Sequence, residues 1–361
     1  MRFFHLIMMG ILMGGMNLAG CASKETSDIV LSNNLNQQER HISDWLDAYP
    51  RDTAFTLLLQ SKSGNSYRHS VGNSSAYTSY ESASTSKMVT ATVILALVED
   101  GVLALDDHPQ DYIADWPKTG KLSEITLQQL LNFTSGLTQS PSCLYFGAWD
   151  FSKCIRTIAA DNTSAEPGSN YYYAPTHLQV AGLMAVNAAI KGGRLPVNSD
   201  WNALFSAFKA QYGVFAQSTY DLPSATNPRL AGGMHWTAED MLAFLQALAQ
   251  GEILSMQSLQ AMRTAVMTDA VIESSPAVDL GLSWRYGYGV WLEDCHSIDT
   301  ICVSSRFSSL GAYGAYPFID MNKGYWGLLA RQGNANSFAK GYELMNSARP
   351  MLDNWAQLAA Q

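Results

Sequence analysis

Ser84-Thr85-Ser86-Lys87 opens a long, almost wholly apolar stretch through Met88, Val89, Val93, Ile94, Leu95, Leu97 and Val98, which Gly101 brings to a stop. That pattern predicts a helix, and one apolar on every side is a buried helix. Residues three apart on a helix share a face, one turn from each other. The spacing therefore sets the Ser84 hydroxyl beside the Lys87 amine, at a helix N-terminus whose dipole favours negative charge. The same S-x-x-K spacing recurs at Ser206 and Lys209 and at Ser337 and Lys340, where it reads as ordinary helix surface. Spacing alone is cheap; the surroundings single out Ser84.

Upstream, Asn36 to Tyr49 predicts a helix whose apolar face is Ile42, Trp45 and Leu46. Phe55 to Gln60 predicts a strand, Ser63-Gly64-Asn65 a turn, and Tyr67 to Gly72 the return strand. From Leu103 to about Gln260 the pattern is helices and long loops. Strands return at Tyr286 to Leu292, Phe307 to Tyr316 and Gly324 to Arg331, before an amphipathic helix from about Ser337 to Leu358. Strands at both ends with a helical insertion predict an α+β fold. One antiparallel sheet is built from the two chain ends and flanked by helices, with a mostly helical second lobe alongside. The expected domain is 39–355, with an α/β lobe at about 39–85 and 283–355 and a helical lobe at about 86–282.

The chain start predicts export. Met1-Arg2 is a short basic beginning, and Phe3 to Met16 is an apolar run too short to span a bilayer. Leu18-Ala19-Gly20-Cys21 looks like a bacterial lipobox, so 1–20 is expected to be a lipoprotein signal and Cys21 the lipidated mature N-terminus. Residues 21–38 are polar without a core pattern and read as a tether. The expected location is the cell envelope, with Ala22-Ser23 suggesting the outer membrane in a Gram-negative host. The membrane partner is thus reached through acylated Cys21. Four cysteines remain of five. Three pairings are open in principle, and the local one, Cys143 with Cys154 and Cys295 with Cys302, is favoured because each couple brackets a short loop. There is no C-x-x-C and the seven histidines do not cluster, so no metal site and no cofactor are expected. Without the signal the net charge moves from −9 to −10. An acidic body without basic runs argues against nucleic acid.

Five ordered blocks over about residues 50 to 345 resemble the serine β-lactamase-like hydrolases, the group holding class C β-lactamases, D-alanyl-D-alanine carboxypeptidases and related esterases. Ser84 to Lys87 leading into Leu97 to Asp107 looks like that group's nucleophile helix and its exit. Ile125 to Leu137 is similar to its I-T-L-x-x-L-L-x-x-T-S-G-L block. Pro167-Gly168, Tyr173 and Gly182 reproduce the spacing around its tyrosine motif, and Ala231 to Met241 matches its G-G-x-x-x-T-x-x-D helix start. Ser309-Leu310-Gly311 stands where the third motif falls.

The resemblance implies an acyl-enzyme mechanism. Ser84 would attack an acyl carbon, neutral Lys87 would take its proton, and Tyr173 would assist transfer to the leaving group. The backbone N–H groups of Ser84 and Ala312 would form the oxyanion hole. Ser309, Gly311 and His177 are the expected substrate-binding positions. Two departures bear on the substrate, a small-molecule or peptide-like acyl compound. The Tyr-x-Asn motif reads Tyr173-Ala174-Pro175, and proline has no side-chain amide to hydrogen-bond. A serine at 309 replaces a cation that sits near the substrate carboxylate in penicillin-recognising members. Both favour an esterase or amidase over the first alternative, a D,D-peptidase or β-lactamase. The other alternative is a non-catalytic binding protein on the same fold.

Overall fold

A computed structural model describes residues 19–266, 270–297 and 300–361, for 19–31 as backbone only. Its centre is a seven-stranded antiparallel sheet. The strands are β1 (Phe55–Ser61), β2 (Ser66–Val71), β3 (Arg285–Tyr286), β4 (Trp291–Leu292), β5 (Arg306–Ser308), β6 (Tyr316–Asp320) and β7 (Tyr325–Arg331). Their order is β2-β1-β7-β6-β5-β4-β3. The two chain ends meet where Phe55 pairs with Arg331 and Leu58 with Leu328. On its other edge β1 forms the expected hairpin with β2, turned at Gly64, whose φ of +95° favours glycine.

Every residue of β7 is buried, and only Gln60 breaks burial along β1. Continuous burial means both sheet faces are covered, which is why these strands read as unbroken apolar runs. One cover is the pair α1 (Ala19–Ala48) and α5 (Phe338–Ala359), which pack on each other and against β2, β6 and β7. The other includes α4 (Ala238–Ala249), against β1, β6 and β7. Thr237 caps α4 by accepting the Asp240 N–H at 3.2 Å. The helical lobe is centred on α2 (Ser86–Glu99), buried from Ser86 to Leu97 and packed on α3 (Thr176–Lys191). Gly101, at φ +70°, ends α2 as expected.

The structure corrects several boundaries. The first helix is described over Ala19–Ala48, longer than the expected Asn36 to Tyr49, so the backbone of the expected tether 21–38 is helical. Gln38 is joined to the body, donating to the Met351 carbonyl at 2.9 Å. Residues 1–18 and the Cys21 side chain lie outside what is described. No helix among the described residues is long and apolar enough to cross a membrane. Helix α4 belongs by packing to the sheet, although the sequence division puts it in the helical lobe. Tyr286 to Leu292 is not one strand but the hairpin β3–β4, closed by Gly287 N–H donating to Val290 O, with Gly289 at φ +73°. Phe307 to Tyr316 is likewise two strands, with a turn at Gly311 to Gly314 between them. In both places the aromatic alternation looks like one strand, but the internal glycines supply turns.

Both local cysteine couples are closed as disulfides, Cys143–Cys154 and Cys295–Cys302. A buried ionic cluster fastens α5 to the sheet. Glu293 accepts from Arg306 Nε at 3.0 Å, from Arg349 Nη2 at 2.6 Å and from the Tyr316 hydroxyl. Arg306 also faces Asp320 at 3.4 Å and stacks over the Phe318 ring.

Candidate active site

Ser84 is delivered by a short segment pinned on both sides. Tyr80 and Glu81 pair with Trp236 and His235, and Ser82 exchanges hydrogen bonds with Met234, its N–H donating at 2.8 Å and its Oγ accepting at 3.0 Å. Ala83 then takes a left-handed φ of +42°, a conformation a non-glycine residue holds only when its surroundings impose it. A 3-10 turn, Ala83–Thr85, carries Ser84 into α2. Its side chain is partly exposed, at the floor of a cleft.

Lys87 lies one turn further on, 4 % exposed. Its Nζ is 2.7 Å from Ser84 Oγ, donates to the Ala231 carbonyl at 2.9 Å, and sits 4.6 Å above the centre of the Tyr173 ring. No carboxylate is paired with it among the described residues. Burial, and then the positive charge of Arg229, hold its pKa well below the ordinary 10.5. A lysine in such a setting has a lone pair available to accept a proton. The other two S-x-x-K pairs are elsewhere: Lys209 donates to the Ser218 carbonyl and Lys340 to Asp52.

Tyr173 faces the same point. Its ring stacks on Trp291 at 5.2 Å and meets Tyr286 and Phe133 edge-on at 5.8 and 5.5 Å. Enclosure by these rings pushes the phenol pKa up, and a hydrogen bond with Ser84 only partly offsets this. Tyr173 is therefore a neutral proton donor at ordinary pH. Trp284, Tyr286, Tyr288 and Trp291 are all buried. Trp291 and Tyr286 act as a mount for Tyr173, a role that a strand-like alternation does not reveal.

Ala312 lies in the turn after Gly311, not on a strand. The Ser84 and Ala312 N–H groups are not spent on other groups among the described residues, so both remain available to an oxyanion. The three expected substrate-binding positions are placed otherwise. Ser309 Oγ donates to the Ser84 carbonyl at 2.9 Å and so buttresses the nucleophile turn. Gly311 packs against that turn: a Cβ there would lie 3.0 Å from the Ser82 oxygen and 3.1 Å from Thr85 Cγ2. His177 is fully buried, with Nδ1 bonded to Ser135 Oγ at 2.7 Å, Nε2 to the Tyr172 carbonyl at 2.9 Å and its ring stacked on Phe133. Desolvation lowers its pKa to about 4, so it is a neutral core histidine with no nitrogen left for substrate.

Two cavities meet at Ser84, Tyr173, Ala312 and Ala335. One, of about 290 Å³, continues past Pro175 to Tyr145 and Arg229; the other, of about 400 Å³, continues past Leu280 to Phe338. Arg229 carries no local signal in the sequence, because it lies on a loop with no periodicity, two residues before the Ala231 block. Among the described residues no group of three or more His, Cys, Asp or Glu could hold a metal ion.

This sheet, its helical lobe and the cleft between them make up the beta-lactamase/transpeptidase fold. The family described as Beta-lactamase matches residues 61–197, the segment that carries Ser84, Lys87 and Tyr173. A candidate beta-lactamase from Bacteroides dorei DSM 17855 superposes with a TM-score of 0.67 at 22% identity, over 86% of this chain and 98% of that one. EstCE1, a hydrolase with promiscuous acyltransferase activity, gives 0.66 at 17% identity over the same shares, 86% and 98%. The D-amino acid amidase from Ochrobactrum anthropi SV3 gives 0.62 at 20% identity, over 87% and 98%. At these identities the likeness establishes the fold. No curated protein matches the sequence.

Proposed function

We propose that this protein is a serine hydrolase that cleaves an ester or amide through an acyl-enzyme on Ser84. The observation that carries the reading is the desolvated Lys87 amine 2.7 Å from Ser84 Oγ. In the forward step the Ser84 hydroxyl gives its proton to Lys87 as Oγ bonds to the acyl carbon. The developing oxyanion is met by the Ser84 and Ala312 N–H groups. The bond to the leaving group then breaks, Tyr173 donates the proton that group needs, and protonated Lys87 returns one to the phenol. Water repeats the sequence on the ester: its proton passes to the same amine, and Ser84 Oγ departs reprotonated. The two likenesses to a hydrolase and an amidase fit this class without selecting a substrate.

A fluorophosphonate probe should label the wild-type protein stoichiometrically and leave Ser84→Ala unlabelled. A folded wild type that takes no label supports the non-catalytic binding protein instead. Pro175 in the cleft, and Ser309 turned towards the Ser84 carbonyl, favour an esterase or amidase over a D,D-peptidase or β-lactamase. Hydrolysis of short acyl esters should therefore exceed that of nitrocefin.

The lipobox-like Leu18 to Cys21, together with two disulfides of the kind that persist in oxidising compartments, supports a lipid-anchored envelope protein. Wild type expressed in a Gram-negative host should fractionate with membranes, and Cys21→Ser should move to the soluble fraction. Equal partition of the two proteins would refute the anchor.

A further inference from the structure

The loss of a cation at position 309 suggests an uncharged substrate, yet the cleft contains a cation from another part of the chain. Arg229 lines the arm of the cleft that opens beside Ser84. Among the described residues its guanidinium donates only to the Gly232 carbonyl, at 3.3 Å, and it packs 5.3 Å from the centre of the Tyr145 ring. No carboxylate lies within ion-pair distance of it among the described residues. The nearby acid Glu81 is engaged by the Tyr313 hydroxyl at 3.1 Å.

The mount is built. The Arg229 N–H donates to the Leu222 carbonyl at 2.8 Å and its carbonyl accepts from Gly232 at 3.0 Å, fixing the loop. Tyr145 stands in the loop bracketed by the Cys143–Cys154 disulfide, and Asn227 Nδ2 ties the Cys143 carbonyl to the segment leading to Arg229 at 2.8 Å. An arginine held by a stacked ring keeps its remaining donors in a fork that matches a carboxylate. The second arm, past Leu280, Leu310 and Phe338, is mainly apolar, with Asp279 at its edge.

We propose that Arg229 is a specificity-determining residue that binds a carboxylate of the substrate, so that the compound cleaved is anionic on one side of its scissile bond and apolar on the other. Its kinetic consequence rests on Ser84 acting as the acylated nucleophile; its binding consequence does not.

The binding test uses the full chain with Ser84→Ala, titrated calorimetrically with 3-phenylpropanoate and with 3-phenylpropanamide. The carboxylate should bind about 10- to 100-fold tighter than the amide, the span that a charge-assisted hydrogen-bonded pair gives. Adding Arg229→Gln should bring the two ligands level, and Arg229→Lys should restore part of the preference. Absence of a carboxylate preference, including absence of any binding, overturns the proposal, as does a preference that survives Arg229→Gln. In the kinetic arm, Arg229→Gln should lower kcat/KM for 4-nitrophenyl hydrogen succinate at least tenfold more than for 4-nitrophenyl butyrate, or do so for 4-carboxyphenyl butyrate if the anion belongs to the leaving group. Equal losses on all three esters overturn it. An inert wild type that still prefers the carboxylate would sink the hydrolase reading and leave this one standing.

Discussion

Lys87→Met should remain folded and lose about 10³- to 10⁵-fold in kcat/KM on any ester that the wild type cleaves, the scale on which a general base acting with its nucleophile fails. Methionine keeps the length of the stem and fills the same buried space, so packing against Tyr173 persists while the proton acceptor is gone. For the wild type, the base form is the neutral amine, so kcat/KM should fall as pH drops through the depressed lysine pKa. Stability should follow the same direction. The folded state rejects a proton that the unfolded chain binds below 10.5, so unfolding binds protons and wild-type stability declines as pH falls from that value. The decline ends once the folded lysine itself protonates. Lys87→Met lacks this term and should be the more stable protein at neutral pH, by denaturant midpoint. A variant with near wild-type turnover would remove Lys87 from the mechanism.

The largest stability effect should come from Glu293→Gln. Glu293 is 4 % exposed and faces two guanidinium groups and a phenol. Replacing the carboxylate by an amide of the same shape leaves Arg306 buried and Arg349 half-buried, with Asp320 at 3.4 Å as the remaining ion-pair partner of Arg306 among the described residues. Breaking one side of such a buried pair costs about 3–5 kcal/mol, since the stranded charge cannot be rehydrated. Equilibrium denaturation of both proteins measures it. A change within about 0.5 kcal/mol, typical of surface substitutions, would show that water already reaches the cluster. The cluster lies on the α5 side of the sheet, so esterase activity below the unfolding transition should change little.

Local and long-range information divide cleanly here. Ser84 and Lys87 are legible because helix geometry alone brings residues three apart together, and the apolar run behind them announces burial. The β1–β2 hairpin is legible for a similar reason, since its turn and alternation lie within a few residues. Tyr173 is found by its distance from Gly168, but what aims it is not. Trp291 and Phe133 reach its ring from separate parts of the chain, and no local pattern encodes a three-way aromatic contact. His177 shows the opposite failure. A histidine two residues past the tyrosine motif suggests a ligand contact, whereas Ser135, brought in by the fold, absorbs its Nδ1. Arg229 is invisible for want of periodicity. Ser309 misleads because its motif position implies a side chain pointing at substrate, while the turn after it directs the hydroxyl to the Ser84 carbonyl.

The pairing of Phe55–Ser61 with Tyr325–Arg331 has a consequence for biogenesis. Strand β1, next to the edge strand β2, has no second neighbour until almost the whole polypeptide has been synthesised, and closing so long a loop is entropically slow. A nascent chain emerging N-terminus first must therefore wait, with an aggregation-prone apolar segment unpaired, for its final stretch to arrive. Stop codons near the end should then be as damaging as lesions in the cleft itself.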